Sequence, residues 1–352
     1  MKQLRILLAV VISLALIVGT IGCGGGETNG TTEASPTPIT PITLKLVTSL
    51  PIGSTLYNAW FLFADLVESR TDGRVKIDIY PGGQLFPATQ EFEAVVSGTV
   101  DIFADSTYYI NEYVPDVMVF YIDGMWESYE QAYAALEDSE LPNIFAEKVE
   151  AAAPVKMLGL FAGGINLCYI NTVRETKSMK DLSGLKMQSS PGAPPMPVYT
   201  YTGATAVPIS TQEAVVGFIQ GVIDAMYYPP ATLVQMGAHK TGKHVLYTTG
   251  SFAARTMIIN EDSWDSLPTD IQDIINGVIP EVYEFIKTGS RAEEEAAIVL
   301  IDQNVETSHW VTAEELKAYH EVCLAHPVVK GLLGMVDPRI VKIVQDLKMP
   351  SS

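Results

Sequence analysis

Apolar and polar residues alternate over 42–48 (ITLKLVT), which predicts a first strand. Pro51, Gly53 and Ser54 make a loop, and the apolar-rich stretch 56–67 (LYNAWFLFADLV) predicts a helix. The turn TDGR at 71–74 leads into a second alternating strand, 75–80 (VKIDIY). A short helix over 89–97 follows, and 98–103 runs into a third strand. Such a β-α-β-α-β order implies a parallel sheet covered by helices. Further helices are predicted at 128–136 and 143–150, and strands at 155–160, 167–170 and 185–188, the last after a turn at 181–184. Four prolines in SPGAPPMP (190–197) exclude a regular element there. A helix over 211–220 carries a capping-box pattern, Ser210 with Glu213 three residues on. Short strands are expected at 223–227, 246–247 and 256–260.

From residue 270 the pattern becomes helical, with one helix over 271–278 and another over 281–305. The second places Glu293, Glu294 and Glu295 on a wet face and Ile298, Leu300 and Ile301 on the apolar one. A last helix over 312–320 has Thr312 at its cap and Glu315 three residues later. No internal repeat or heptad is present. The pattern predicts two α/β lobes, with chain crossings near 160–166 and 247–254. Pockets of open parallel sheets lie at the carboxyl ends of strands and often between domains, so two facing lobes make a clamp.

The amino terminus reads differently. Lys2 and Arg5 precede an apolar run, 7–21, which ends in small residues before Cys23 and the glycines 24–26. A spacer of Gly, Thr, Ser, Pro and Glu fills 27–41. Basic start, short apolar core and small residues describe a secretory signal. Cys23 resembles the lipidation site of bacterial lipoproteins, although a leucine is usual where Thr20 stands. The alternative is a plain membrane anchor, but the run is shorter than the roughly 20 residues a spanning helix needs. The expected organisation is signal peptide 1–22, lipidated Cys23 and spacer to 42, first lobe 43–163, second lobe 164–250, and a returning strand with bracing helices over 251–352. The chain is then extracytoplasmic, held at the outer face of the cell membrane.

Charge and cysteine usage narrow the classes. Lys and Arg total 22 against 41 Asp and Glu, a formal charge of −19. This field repels phosphate backbones and excludes nucleic acid as a partner. With Cys23 acylated, Cys168 and Cys323 either pair or sit as buried thiols, and buried thiols are the expectation. The five histidines form no HExxH, there is no CxxC, and no G-x-S-x-G elbow, Walker loop or dinucleotide fingerprint occurs. An enzyme and a cofactor are therefore not expected. His239 and His244 in GAHKTGKH read as solvated.

An ordered set of segments is more specific. RTDGRVKIDIYPGGQ (70–84), SGTVD (97–101), DLSGLKM (181–187), GATAVPISTQEAVVGFIQGVID (203–224) and WDSLP (264–268) together resemble the solute-binding subunit of the tripartite ATP-independent periplasmic (TRAP) transporters, in its dicarboxylate-binding branch. The resemblance implies a two-lobed clamp with a long carboxy-terminal bracing helix. It also implies a partner, an ion-gradient-driven membrane permease to which a small solute is delivered. A ligand-sensing receptor would read alike. The oligomeric expectation is a monomer.

The resemblance also implies a ligand arginine at the end of the strand after the GLK turn, where a guanidinium meets a carboxylate through two bonds. Here that position is Gln188, which orients a neutral group but does not neutralise an anion. A second arginine position is Asn166, and the glutamate and asparagine common after the aspartate-glycine pair are Tyr227 and Tyr228. These changes predict a neutral or aromatic ligand, with Tyr227 and Tyr228 alternatively packing against the other lobe. Tyr57, Tyr108 and Phe161 are expected wall residues. Arg255 is the candidate that would restore carboxylate binding, beside helix amino-terminal amides or a bound metal near Asp105.

Overall fold

The computed structural model describes residues 41–50, 52–189 and 196–348; the expected signal peptide, Cys23 and nearly all of the expected spacer lie outside the described residues. It also leaves most of the proline-rich stretch outside the described residues.

The first sheet is built by β1 (Ile42–Val47), α1 (Thr55–Arg70), β2 (Val75–Tyr80), α2 (Ala88–Val96) and β3 (Ile102–Ser106). After the helices α3 (Tyr129–Glu137) and α4 (Leu141–Ala152) comes β4 (Val155–Ala162). The second sheet takes β5 (Asn166–Asn171), β6 (Lys186–Ser189), α5 (Pro197–Thr202), β7 (Thr205–Pro208), α6 (Thr211–Ile219), β8 (Ala225–Tyr228), α7 (Pro230–Gln235) and β9 (His244–Thr249). The chain then returns as β10 (Ala254–Asn260), and α8 (Glu261–Asp265) leads to the long α9 (Thr269–Asp302). It closes with β11 (Thr307–Trp310), α10 (Ala313–Ala325), α11 (Pro327–Leu333) and α12 (Pro338–Asp346).

Strand order is β2-β1-β3-β10-β4 in the first sheet and β11-β9-β5-β8-β6-β7 in the second. β1, β2 and β3 are parallel, as a β-α-β-α-β run requires, whereas β10 enters antiparallel between β3 and β4. Each sheet is covered on both faces by apolar side chains. This is the two-lobed α/β architecture the sequence predicts. Polar caps fix helix starts where the pattern places them: Ser54, Ser128, Ser210 and Thr312 each accept a backbone N–H of the first turn.

The lobes are joined by two short crossings that hydrogen-bond to each other. Gly163 N–H donates to the Ala253 carbonyl and Ala253 N–H to that of Gly164, both at 2.9 Å. The crossings fall inside the spans 160–166 and 247–254.

Several expectations are corrected, the solvated His239 among them, since that residue is buried. The two helices of 271–278 and 281–305 are one, α9, 34 residues and about 50 Å long, which continues through Pro280. A proline removes one intrahelical bond, but burial of Ile275, Val278, Val282 and Ile286 against α1 holds both halves in line. Glu294 is buried, not solvated, because it lies in the stripe Ile286, Ser290, Glu294, Ala297, Ile301. Leu300 is exposed on the opposite face. Pro197 opens α5, a position where a missing N–H is harmless. Cys168 and Cys323 are buried free thiols, as expected.

Gly277, inside α9, has open space where a Cβ would stand. Gly277→Ala is therefore expected to raise stability by about 0.5–1 kcal/mol through helix propensity alone, read as a higher urea midpoint.

Candidate functional site

The strand ends of the two lobes face different chemistry. In the first lobe, β1 and β3 end beside each other, so Asp105 receives Ser49 N–H and Ser49 Oγ at 2.6 Å each and Thr48 Oγ1 at 3.3 Å. Nearby, the buried Glu91 carboxyl has neither oxygen hydrogen-bonded. Burial first, and the Asp105 charge second, push it up to about 8, so at neutral pH it is mostly protonated. Tyr109 is raised by burial and by Asp105. This floor is acidic and apolar.

In the second lobe, the register brings the carboxyl ends of β6 and β8 together with the amino end of β5. Met187 pairs with Ala225, Cys168 with Tyr228, and Asn166 with Thr249. Gln188, Tyr227, Tyr228 and Asn166 are thus carried to the same end of these interior strands. Gln188 is buried, and its amide donates to the Ile209 carbonyl at 3.1 Å. Tyr227 stacks on Tyr169 at 4.5 Å between centroids, and its hydroxyl reaches Asp123 of the first lobe at 3.3 Å. The Tyr227 ring packs within its own lobe, and its hydroxyl alone crosses to the first. Tyr228 is half-buried on the opposite face.

Between the lobes lies a cavity of about 80 Å³. Leu50, Ser54 and Leu56 wall it from the first lobe, Pro229 and Gln235 from the second, and Gly163, Gly164 and Ala253 from the crossings. Ser290, Glu293 and Glu294 of α9 complete it, with Arg255 of β10. Each carboxylate here is engaged. Glu293 takes Thr55 N–H at 3.2 Å and the Gln235 amide at 2.9 Å, one from each lobe. Glu294 accepts the Tyr129 hydroxyl.

Arg255 is different. Its Nη1 donates to the Ala254 carbonyl at 3.2 Å, while Nε is buried with no partner, and it forms no ion pair among the described residues. Ser290 Oγ is likewise buried and unpartnered. Two residues of the cavity wall thus carry an unsatisfied donor, one of them cationic.

The remaining expected residues are spread. Tyr57 is half-buried in the first turn of α1, and Tyr108 is 40% exposed, edge-on to Tyr109 and Tyr121. Phe161 is a correction. It is fully buried in the first-lobe core, edge-on to Trp60 at 5.3 Å, because its strand position points at α1 and α9. None of these three lines the cavity. Sequence reasoning missed Ser290, Glu293 and Glu294. The spacing of Ile286, Ser290, Glu294 and Ala297 carried the signal for two of them, since it continues an apolar stripe.

The family described as bacterial extracellular solute-binding protein, family 7, matches residues 46–329. The C4-dicarboxylate-binding periplasmic protein DctP of Rhodobacter capsulatus is 25% identical over 262 residues, covering 74% of this chain and 78% of that one. The sialic acid-binding periplasmic protein SiaP of Vibrio cholerae is 24% identical, covering 68% and 74%. Among solved structures, a TRAP periplasmic solute-binding protein from Ochrobactrum anthropi superimposes with a TM-score of 0.79 at 18% identity, over 88% of this chain and 95% of that one. The sugar acid binding protein DctPAm of Advenella mimigardefordensis gives 0.77 at 22%, over 88% and 98%. With the two lobes, the crossings and the bracing helix in place, the chain belongs to family 7 of the bacterial extracellular solute-binding proteins, the solute-binding subunits of TRAP transporters, and it is a binding protein, not an enzyme.

Proposed function

We propose that this chain carries a small carboxylate to a TRAP permease, and that Arg255 meets the charge in place of the arginine absent at position 188. The observation that carries this reading is the unpaired Arg255 guanidinium in the wall of the interlobe cavity. Arg255 is half-buried with its Nε shielded and unsatisfied, and a ligand carboxylate would both take up that donor and pair with the charge. Gln188 supports the reading from the other side, since its amide donor is bound to Ile209. The named ligands of the relatives and solved neighbours are acids as well, C4-dicarboxylates, sialic acid, galactonate and succinate among them. Lipidation at Cys23 would keep the carrier close to its permease and raise the local concentration of the encounter.

A second reading, a neutral or aromatic solute, is favoured by the neutral strand ends formed by Gln188 and Tyr228. The deciding experiment is thermal stabilisation of residues 43–352 across matched pairs of carboxylic acids and their amides, alcohols and esters. A ligand at 100 times its Kd adds about 2.7 kcal/mol of stability. The proposal requires acids to raise the melting point and their amides to leave it unchanged. The reverse result establishes the neutral solute.

A further inference from the structure

Outside the cavity, one buried carboxylate is not absorbed by solute binding. Asp123 follows the first-lobe segment Pro115–Tyr121, is 9% exposed, and forms no ion pair among the described residues. Its oxygens accept the hydroxyl of Tyr227, from β8, at 3.3 and 3.4 Å, and the hydroxyl of Tyr319, from α10. Both phenols belong to the apolar cluster of the second lobe. A carboxylate of one lobe is therefore held by two neutral donors of the other.

The surroundings make this junction tight. The next residue, Gly124, donates its N–H to the Gly250 carbonyl of the second crossing at 2.9 Å. α10 lies so close that a Cβ at Gly124 would meet His320 Cβ at 2.9 Å, and one at Gly250 would meet His320 Nε2 at 2.6 Å. Gly124 and Gly250 also have φ of +92° and +146°, which side chains rarely adopt. Asp123 thus sits where the first lobe, the crossing and the second lobe converge.

We propose that Asp123 is a proton-operated latch between the lobes. Protonated, it is compatible with burial between Tyr227 and Tyr319. Ionised, it favours an arrangement that returns the carboxylate to water.

The facing groups leave this charge without compensation. Tyr227 and Tyr169 come from β8 and β5, and Tyr319 and Cys323 from α10; all are held neutral by burial. His320 bonds the Thr249 carbonyl, and burial lowers its affinity for a proton. At the rim, Lys348 binds the Gly124 carbonyl and pairs with Glu127 at 3.2 Å. Burial pushes Asp123 up to about 6 against the two phenol bonds, which pull the other way. An exposed aspartate titrates near about 3.9. The bonded arrangement is therefore fully favoured below about pH 4 and loses its advantage progressively as pH rises from there to about 6, by about 100-fold in population. Acid conditions join the lobes.

The test uses the ligand-free protein, so that it stands whatever the solute. Small-angle scattering and the melting temperature are followed from pH 4.5 to 8 for the wild type and Asp123→Asn. The wild type is expected to expand and to lose melting temperature as pH rises to about 6, while Asp123→Asn, which cannot ionise there, keeps one radius of gyration. Subtracting the variant removes the opposing titration of His320, present in both. Tyr319→Phe retains the packing on Tyr201 but removes a donor, and should move the wild-type midpoint to higher pH. This variant also serves if Asp123→Asn does not fold. Superimposable pH profiles for wild type and Asp123→Asn, or an unmoved midpoint in Tyr319→Phe, would overturn the latch.

Discussion

Gly163→Ala is expected to destabilise the protein by about 3 kcal/mol, at the upper end for overpacking. A Cβ at this position stands 2.3 Å from the Ala253 carbonyl oxygen and 3.3 Å from the Ala253 Cβ. No flexible side chain can yield, because the obstacle is backbone that already accepts the Gly163 N–H. The added methyl must separate the two crossings, which breaks the pair of bonds joining them. The crossings also carry the cavity wall, so the damage reaches the site. Urea unfolding measures it directly: the midpoint should fall well below wild type, whereas Gly277→Ala moves it the other way. A Gly163→Ala midpoint within error of wild type would mean that the crossings are not held to each other as described.

Much of the fold was legible because it depends on local pattern. Period-two alternation identified β1 and β2, and the capping box at Ser210 placed α6 to within a residue of its ends. The irregular parts depend on tertiary contact. β7 and β11 are four-residue strands whose apolar content is too low to announce them, and both sit at sheet edges. Pro280 divides α9 in sequence, yet packing on α1 outweighs one lost bond.

The site divides along the same line. Gln188, Tyr227, Tyr228 and Asn166 were brought together by the resemblance and lie at one end of the interior strands β6, β8 and β5, which pair although they are not consecutive in sequence. Asp123 was invisible. Its partners lie 104 and 196 residues away, and no spacing rule connects them. Phe161 was misplaced for a related reason: an aromatic at the end of a buried strand has the same local signature whether it faces a cleft or a helix. Glu294 was overridden by its neighbours, since three consecutive glutamates read as a wet face although the helical period assigns them to different faces.

Arg255→Ala is the variant with the largest expected effect on binding. If a solute carboxylate pairs with this guanidinium in a cavity shielded by both lobes, truncation should weaken affinity by about 2–5 kcal/mol, which is 30-fold to several thousand-fold. The ligand-free protein should lose little, because among the described residues the arginine makes one hydrogen bond, 3.2 Å to its neighbour's carbonyl, and leaves Nε unsatisfied. That asymmetry separates a recognition residue from a structural one: calorimetry with the acid that stabilises the wild type should show binding lost, while the ligand-free melting temperature stays near wild type. Arg255→Lys should recover part of the affinity, since an ammonium supplies the charge without the planar fork. Gln188→Leu is the complementary variant. It deletes the amide that a neutral solute would use, and under carboxylate recognition by Arg255 it leaves affinity within a few-fold of wild type. Binding that survives Arg255→Ala but is abolished in Gln188→Leu would move recognition back to the second-lobe strand ends and make the solute neutral.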